Sequence, residues 1–96
     1  MSSLLFWFYL DAREVRAACA MCAPRSTGEA LRFVLARGVE ALEAGAPRAP
    51  LPPPASSRRQ VGVEVSAELY ARVAAQGGAR VCLCAGLDAL DGEGAR

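Results

Sequence analysis

The segments FVLARGVEALE at residues 33 to 43 and VCLCAGLDALD at residues 81 to 91 align with each other without a gap. The recurring residues are Leu35 with Leu83, Gly38 with Gly86, Ala41 with Ala89, and Leu42 with Leu90. Upstream, the apolar positions Phe6, Phe8 and Leu10 correspond to Val61, Val63 and Val65. An agreement of this length predicts an internal repeat, and therefore two related halves.

Each half is predicted to be a strand followed by two helices. The aromatic run at 4–10 and the alternating run at 60–65 are typical of strands. Asp11 and Ser66 follow them as helix caps, and Ser26 with Glu29 forms a second capping pattern. The first helix is expected to end near Cys22. The last helix, preceded by a Gly77-Gly78 break, is expected to lack a first turn.

A proline-rich segment separates the halves. The boundaries predicted are a first unit at 1–45, a linker at 46–57 and a second unit at 58–96, with both units forming one domain. Five of the six prolines lie in the linker, which is expected to be extended because proline does not fit a helix interior or a central strand. The final residues, from Asp91, are expected to fray.

Composition argues against catalysis. The 96 residues are 53% hydrophobic and carry a formal net charge of +1, with no histidine. Histidine is the usual general base at neutral pH and the commonest metal ligand. We therefore expect a binding module with no catalytic residues, no cofactor and no small-molecule substrate. The apolar start is too short to span a bilayer and has no basic residue before it, so a cytoplasmic location with no membrane contact is expected.

The cysteines allow three interpretations. Cys19 and Cys22 lie on one helical face, which suits a metal ion or a redox pair. Cys82 and Cys84 are two residues apart and so point in different directions on a helix. The repeat matches Cys82 with Val34 and Cys84 with Ala36, which favours core packing over metal binding.

The order of strand, capped helix, turn and capped helix resembles the ribbon-helix-helix family of DNA-binding proteins. The resemblance rests on VGVEVSAELY at 61–70 for the strand and first helix, and on RSTGEALRFVLARGVEAL at 25–42 for the turn and second helix. It implies a mainly α fold with a short two-stranded antiparallel β-ribbon. Here one chain would supply both units as a pseudo-dimer, whereas the family normally forms this fold by dimerising.

The resemblance also implies sequence-specific binding of double-stranded DNA by a small transcriptional regulator, with the ribbon in the major groove. The strand residues that would read bases are Arg58, Gln60, Gly62 and Glu64. The residues that would hold a phosphate are Ser26, Thr27 and Gly28, with Arg25 nearby. The plainer alternative is that Arg58 and Arg59 are a solvated pair at the end of the linker and that Ser26 is an ordinary cap.

The first strand departs from this pattern. Its outward positions are predicted to be Ser3, Leu5, Trp7 and Tyr9, where a DNA-reading strand would carry Arg, Lys, Asn or Thr. Trp7 corresponds to Gly62 in the repeat and is expected to cover it across the ribbon. An alternative function is therefore a protein-interaction module, antitoxin-like or an adaptor, which docks a partner on this apolar face without binding DNA.

Overall fold

The computed structural model describes residues 3–47 and 58–94, with two strands and four helices in that part of the chain. The first half contains β1 at Ser3–Asp11, α1 at Ala12–Met21 and α2 at Thr27–Glu43. The second contains β2 at Arg58–Ser66, α3 at Ala67–Ala75 and α4 at Ala79–Gly94. The expected mainly α fold with a two-stranded antiparallel sheet is confirmed. Most of the predicted linker, from residue 48 to residue 57, lies outside the described residues.

The predicted helix caps are confirmed by their hydrogen bonds. The Asp11 carboxylate accepts from the Arg13 amide at 2.8 Å, so a buried side chain ends β1 and starts α1. The Ser66 hydroxyl accepts from the Leu69 amide at 3.1 Å and plays the same part between β2 and α3. Each cap satisfies an amide that has no partner within its helix and fixes where the chain turns away from the ribbon.

The strands pair antiparallel, with Trp7 opposite Gly62 at the centre of the register. Alternate side chains face the helices, and the most deeply placed of them are Phe8, Leu10, Val63 and Val65. Because side chains alternate along a strand, the residues between them face away from the core. One face of the ribbon is therefore apolar and packed, and the other faces solvent.

Helices α2 and α4 cross in close contact at a glycine from each. A Cβ on Gly38 would collide with the carbonyl oxygen of Cys82, and one on Gly86 would collide with the carbonyl oxygen of Val34. The contact is reciprocal, since the repeat matches Gly38 with Gly86 and Val34 with Cys82. Only glycine permits backbones to approach so closely in this way.

One hydrophobic core draws on both halves. Helix α2 contributes most to it, with seven buried positions along its length. These are Ala30, Leu31, Val34, Leu35, Gly38, Val39 and Leu42. The second half adds Val63, Val65, Val73, Cys82 and Leu83, and β1, α1 and the turn after α1 add Phe8, Leu10, Val15, Ala18 and Cys22. The apolar spacing on α2 thus acts as the central packing surface, and the ribbon covers one side of it.

The second half is shorter at its last helix, as the sequence predicts. The alignment matches Ala79, where α4 begins, with Leu31, whereas α2 begins four residues earlier at Thr27. Gly77 and Gly78 precede α4 with φ of 109° and 114°, a conformation that favours glycine. Across the described residues, no helix is long and apolar enough to cross a membrane.

Candidate nucleic-acid and protein interface

The solvent side of the ribbon, called here the outer ribbon face, is formed by Leu5, Trp7 and Tyr9 on β1 and by Gln60, Gly62 and Glu64 on β2. The three apolar side chains are 54%, 60% and 67% exposed, respectively. Gln60 and Glu64 are also exposed. Three large hydrophobic groups on one narrow face form an exposed apolar patch, the kind of surface that often marks a binding site.

The centre of this face is a continuous apolar strip. A Cβ on Gly62 would lie 3.1 Å from Leu5 Cδ1 and 3.2 Å from Trp7 Cζ3. The Trp7 indole therefore extends across the ribbon over the glycine, as the repeat predicts, and the Leu5 side chain approaches the same point. Gly62 has no side chain, so the surface at the centre of this face is formed by the Leu5 and Trp7 side chains of β1.

A shallow cleft of about 470 Å³ joins the outer ribbon face to the amino end of α2. The ribbon side consists of Leu5, Gly62 and Glu64, and the helix side of Ser26, Gly28, Glu29 and Arg32. Four residues predicted for DNA contact, Gly62, Glu64, Ser26 and Gly28, are thus brought together. Ser26 and Gly28 stand at the start of α2, so the cleft places the beginning of that helix beside β2.

Ser26 acts as an N-cap at this cleft. Its hydroxyl accepts from the Glu29 amide at 3.3 Å, and its carbonyl accepts from the Ala30 amide at 2.9 Å. The first-turn amides and the helix dipole give the amino end of α2 a partial positive charge, which favours an anion beside it. Ser26 itself is exposed, so its capping bond leaves the residue accessible from the cleft.

Arg25 and Thr27, the other two residues predicted at the phosphate site, lie beside the cleft and do not line it. The Arg25 guanidinium stacks over the Phe33 ring, 4.4 Å from the centroid. The Thr27 hydroxyl oxygen is 3.7 Å from Cys19 Sγ, which donates to it. Both residues are exposed, so a ligand reaching over the helix end meets them at its margin.

The charges lining the cleft are mixed. Glu29 and Glu64 supply two carboxylates, and Arg32 supplies one guanidinium. Arg58, which was predicted to contact a base, is the strand partner of Asp11 at the start of β2. Its side chain lies outside the described part of the structure. The charged side chains that line the cleft thus include more carboxylates than guanidinium groups, and the group there that favours an anion most is the amino end of α2.

Arg32 and Glu29 are cleft residues that the sequence reasoning did not identify as such. Arg32 is one helical turn beyond Gly28, and Glu29 precedes it by three residues. Residues at these spacings share a helix face. Extending the predicted phosphate site by one turn of α2 would have included both Glu29 and Arg32.

The corresponding end of α4 is built differently. The repeat matches Arg32 with Arg80, whose guanidinium Nε donates to Glu14 Oε1 at 2.8 Å. The two side chains are only 16% and 12% exposed. Hydrogen bonding to Glu14 raises the pKa of Arg80, so this guanidinium is held as a charged partner of α1. Near the start of α4, the arginine that matches Arg32 is therefore paired with a carboxylate of α1.

The cysteines divide into two groups. Cys22 and Cys82 are buried in the core, and for Cys82 this is what its match with Val34 predicts. Cys19 and Cys84 are half-buried, and the Cys84 thiol donates to Glu14 Oε2 at 3.3 Å. Burial, reinforced by that carboxylate, raises the pKa of Cys84 to about 12, which keeps it a protonated, unreactive thiol. Within residues 3–47 and 58–94, no three Cys, Asp or Glu side chains converge as a metal site would require.

Comparison with known proteins adds no relative. No protein-family model matches the chain, and neither the curated proteins nor the solved structures gave a match.

Proposed function

We propose that the chain is a tandem ribbon-helix-helix unit, in which a pseudo-twofold axis relates the two halves. Two independent contacts support this arrangement. Trp7 and Gly62 match in the repeat and face each other at the centre of the ribbon. Gly38 and Gly86 also match and meet where α2 crosses α4. An approximate twofold axis through both points would make each contact reciprocal.

We further propose that this unit binds double-stranded DNA in a sequence-specific manner and acts as a small transcriptional regulator. The observation that carries the proposal is the single cleft shared by the outer ribbon face and the amino end of α2. A two-stranded ribbon fits the major groove, and a helix amino end beside it is suited to a backbone phosphate. Reading and anchoring groups would then lie on one accessible surface.

The residues have distinct roles in this proposal. Gln60 is suited to adenine, and Glu64 to the amino group of cytosine. Arg58 is suited to guanine, and its role remains a prediction from the sequence. Gly62 has no side chain and so leaves room for Leu5 and Trp7, which lie over it and would face the groove. Ser26, Thr27 and Gly28 would hold the phosphate, with Arg25 and Arg32 supplying positive charge at its edge.

The carboxylates set the expected binding behaviour. Glu29 and Glu64 repel phosphates, so affinity for DNA of arbitrary sequence is expected to be low. A bound duplex must then be recognised through base contacts that offset this repulsion. The expected pattern is a specific site with a shallow salt dependence, since few phosphates are neutralised.

Selection from a random duplex pool tests the proposal. Wild type and the Arg58→Ala, Gln60→Ala double variant are compared at moderate and at low salt, with Arg37→Ala as a charge-matched control. Arg37 pairs with Glu40 on the carboxyl half of α2, away from its amino end. A short motif enriched by wild type and Arg37→Ala but lost by the double variant supports DNA reading. No enrichment at either salt concentration contradicts it.

A second candidate function is protein binding on the outer ribbon face. It is favoured by the exposure of Leu5, Trp7 and Tyr9 together with the neighbouring carboxylates Glu29 and Glu64. Such a surface suits a partner with apolar and basic side chains. A photo-crosslinking residue at position 7, compared with one at position 37, tests it in cells. One recurring protein captured from position 7 alone, with no DNA selected, would favour this function.

A further inference from the structure

The two strands of the ribbon present different chemistry on the same face. β1 contributes only apolar and aromatic groups at Leu5, Trp7 and Tyr9, and β2 contributes an amide at Gln60 and a carboxylate at Glu64. The proposed twofold would place like groups at equivalent positions, but Leu5 corresponds to Gln60 and Tyr9 to Glu64. The backbone is thus approximately symmetric while the recognition surface is not.

The helix ends extend this asymmetry. The amino end of α2 reaches the cleft with its capped first turn, whereas α4 starts one turn later after Gly77 and Gly78. Both glycines have positive φ, so a capping side chain at either position would be strained. Arg80, in the place of Arg32, is held by Glu14. A ligand on the ribbon therefore meets an anchoring helix end on one side only.

We infer that the DNA element is non-palindromic and that β1 reads it through the methyl groups of thymines. This inference rests on the proposed DNA-binding function and specifies its target. The thymine C5-methyl is the apolar feature that base pairs display in the major groove, and apolar side chains recognise it by contact. Leu5 and Trp7 meet above Gly62, so they offer a continuous surface to such methyl groups. Leu5 lies opposite Glu64 at one end of the ribbon, and Tyr9 lies opposite Gln60 at the other, so the two halves of the element would meet different groups.

The size of the effect follows from the area buried. Moving one methyl group out of water contributes about a fourfold change in binding constant, on the usual scale of hydrophobic transfer. Two methyl groups against Leu5 and Trp7 would contribute about fifteenfold. Deoxyuridine lacks only this methyl and keeps the hydrogen-bonding edge of thymine, so it isolates the contact.

The experiment uses the full chain and the duplex obtained by selection. Thymines are replaced by deoxyuridine in one half of the element and then in the other, and affinity is measured by fluorescence anisotropy. Wild type is expected to lose about fourfold per methyl in one half only. Leu5→Ala and Trp7→Ala should bind more weakly and lose this sensitivity. Met21→Ala, an exposed apolar residue on α1, serves as control and should retain it.

The outcomes separate this inference from the function on which it rests. Binding that is unaffected by deoxyuridine, or equally affected in both halves of a palindromic element, overturns the inference and leaves DNA binding intact. Absence of binding to any duplex overturns both. Circular dichroism of Leu5→Ala and Trp7→Ala checks that a change in binding is not a loss of fold.

Discussion

Replacing Gly38 by alanine tests the crossing of α2 and α4 on which the whole arrangement depends. The new Cβ would collide with the backbone carbonyl of Cys82 and lie 2.9 Å from the amide nitrogen of Gly86. Neither atom belongs to a flexible side chain, so the helices must move apart. Because α2 is the main packing surface of the core, this separation also loosens the contacts of Val34 and Leu35.

The magnitude comes from two opposing effects. Overpacking a well-packed interior costs up to about 3 kcal/mol when backbone must shift. Replacing glycine by alanine within a helix stabilises the helix by about 1 kcal/mol. We therefore expect Gly38→Ala to lower the free energy of unfolding by about 2 kcal/mol. Gly86→Ala should act similarly, and the double variant should lose less than the sum because both act at one contact.

Urea unfolding followed by circular dichroism measures this change. Gly92→Ala is the matched control, since it places the same methyl group on α4 where nothing lies within 4 Å. That variant should be as stable as wild type or slightly more so. If Gly38→Ala proved equal to Gly92→Ala, the close crossing of the two helices would be refuted.

Three further predictions use the same unfolding assay. Glu14→Gln removes the charge from the shielded pair with Arg80 and should cost about 1.5–3 kcal/mol. Arg72→Ala, which breaks an exposed pair with Glu43, should change stability much less. Because the pKa of Cys84 is raised to about 12, the folded chain keeps a proton that the unfolded chain loses from about pH 8.5, so stability should fall as pH rises above that value. The fall attributable to this thiol is at most about 1.4 kcal/mol per pH unit and should be missing in Cys84→Ala; equal slopes would contradict it. Asp11→Ala should cost about 1–2 kcal/mol through loss of the α1 cap, and no loss would show that the Asp11 bond to the Arg13 amide is dispensable.

Local patterns were enough to place the elements. Asp11, Ser26 and Ser66 mark helix starts because their short polar side chains satisfy the first amides, a rule that acts over three residues. The alternation around Val63 and Val65 identifies the buried face of β2 for an equally local reason. The late start of α4 follows from the Gly77-Gly78 pair, which offers no capping group.

The composition of the cleft depended on tertiary geometry. Arg32 shares a helix face with Gly28, but that it lines one cleft with Glu64 depends on the fold, which brings together positions thirty-two apart in the sequence. Arg80 is equivalent in the repeat yet pairs with Glu14, which is sixty-six residues away. A repeat predicts which positions correspond, but the partner of a charged side chain depends on what the fold brings to it.

The cysteines illustrate the same division. The match of Cys82 with Val34 correctly predicted that Cys82 is buried, because cysteine and valine are both small apolar side chains that can fill a core position. The contact of Cys84 with the Glu14 carboxylate was not predictable from its partner Ala36, which carries no polar atom. Cys84 and Ala36 are both half-buried, as matched positions should be, whereas the hydrogen bond of Cys84 depends on the Glu14 carboxylate that the fold brings to it.

The emission of the single tryptophan tests most directly whether the outer ribbon face contacts DNA. Trp7 is 60% exposed at the centre of that face, so a bound duplex would cover it. A labelled duplex from the selection is titrated while tryptophan emission and DNA anisotropy are recorded together. We predict a saturable change in Trp7 emission that follows the anisotropy with one binding constant. Binding seen by anisotropy without any change at Trp7 would place the DNA elsewhere on the protein and contradict the account.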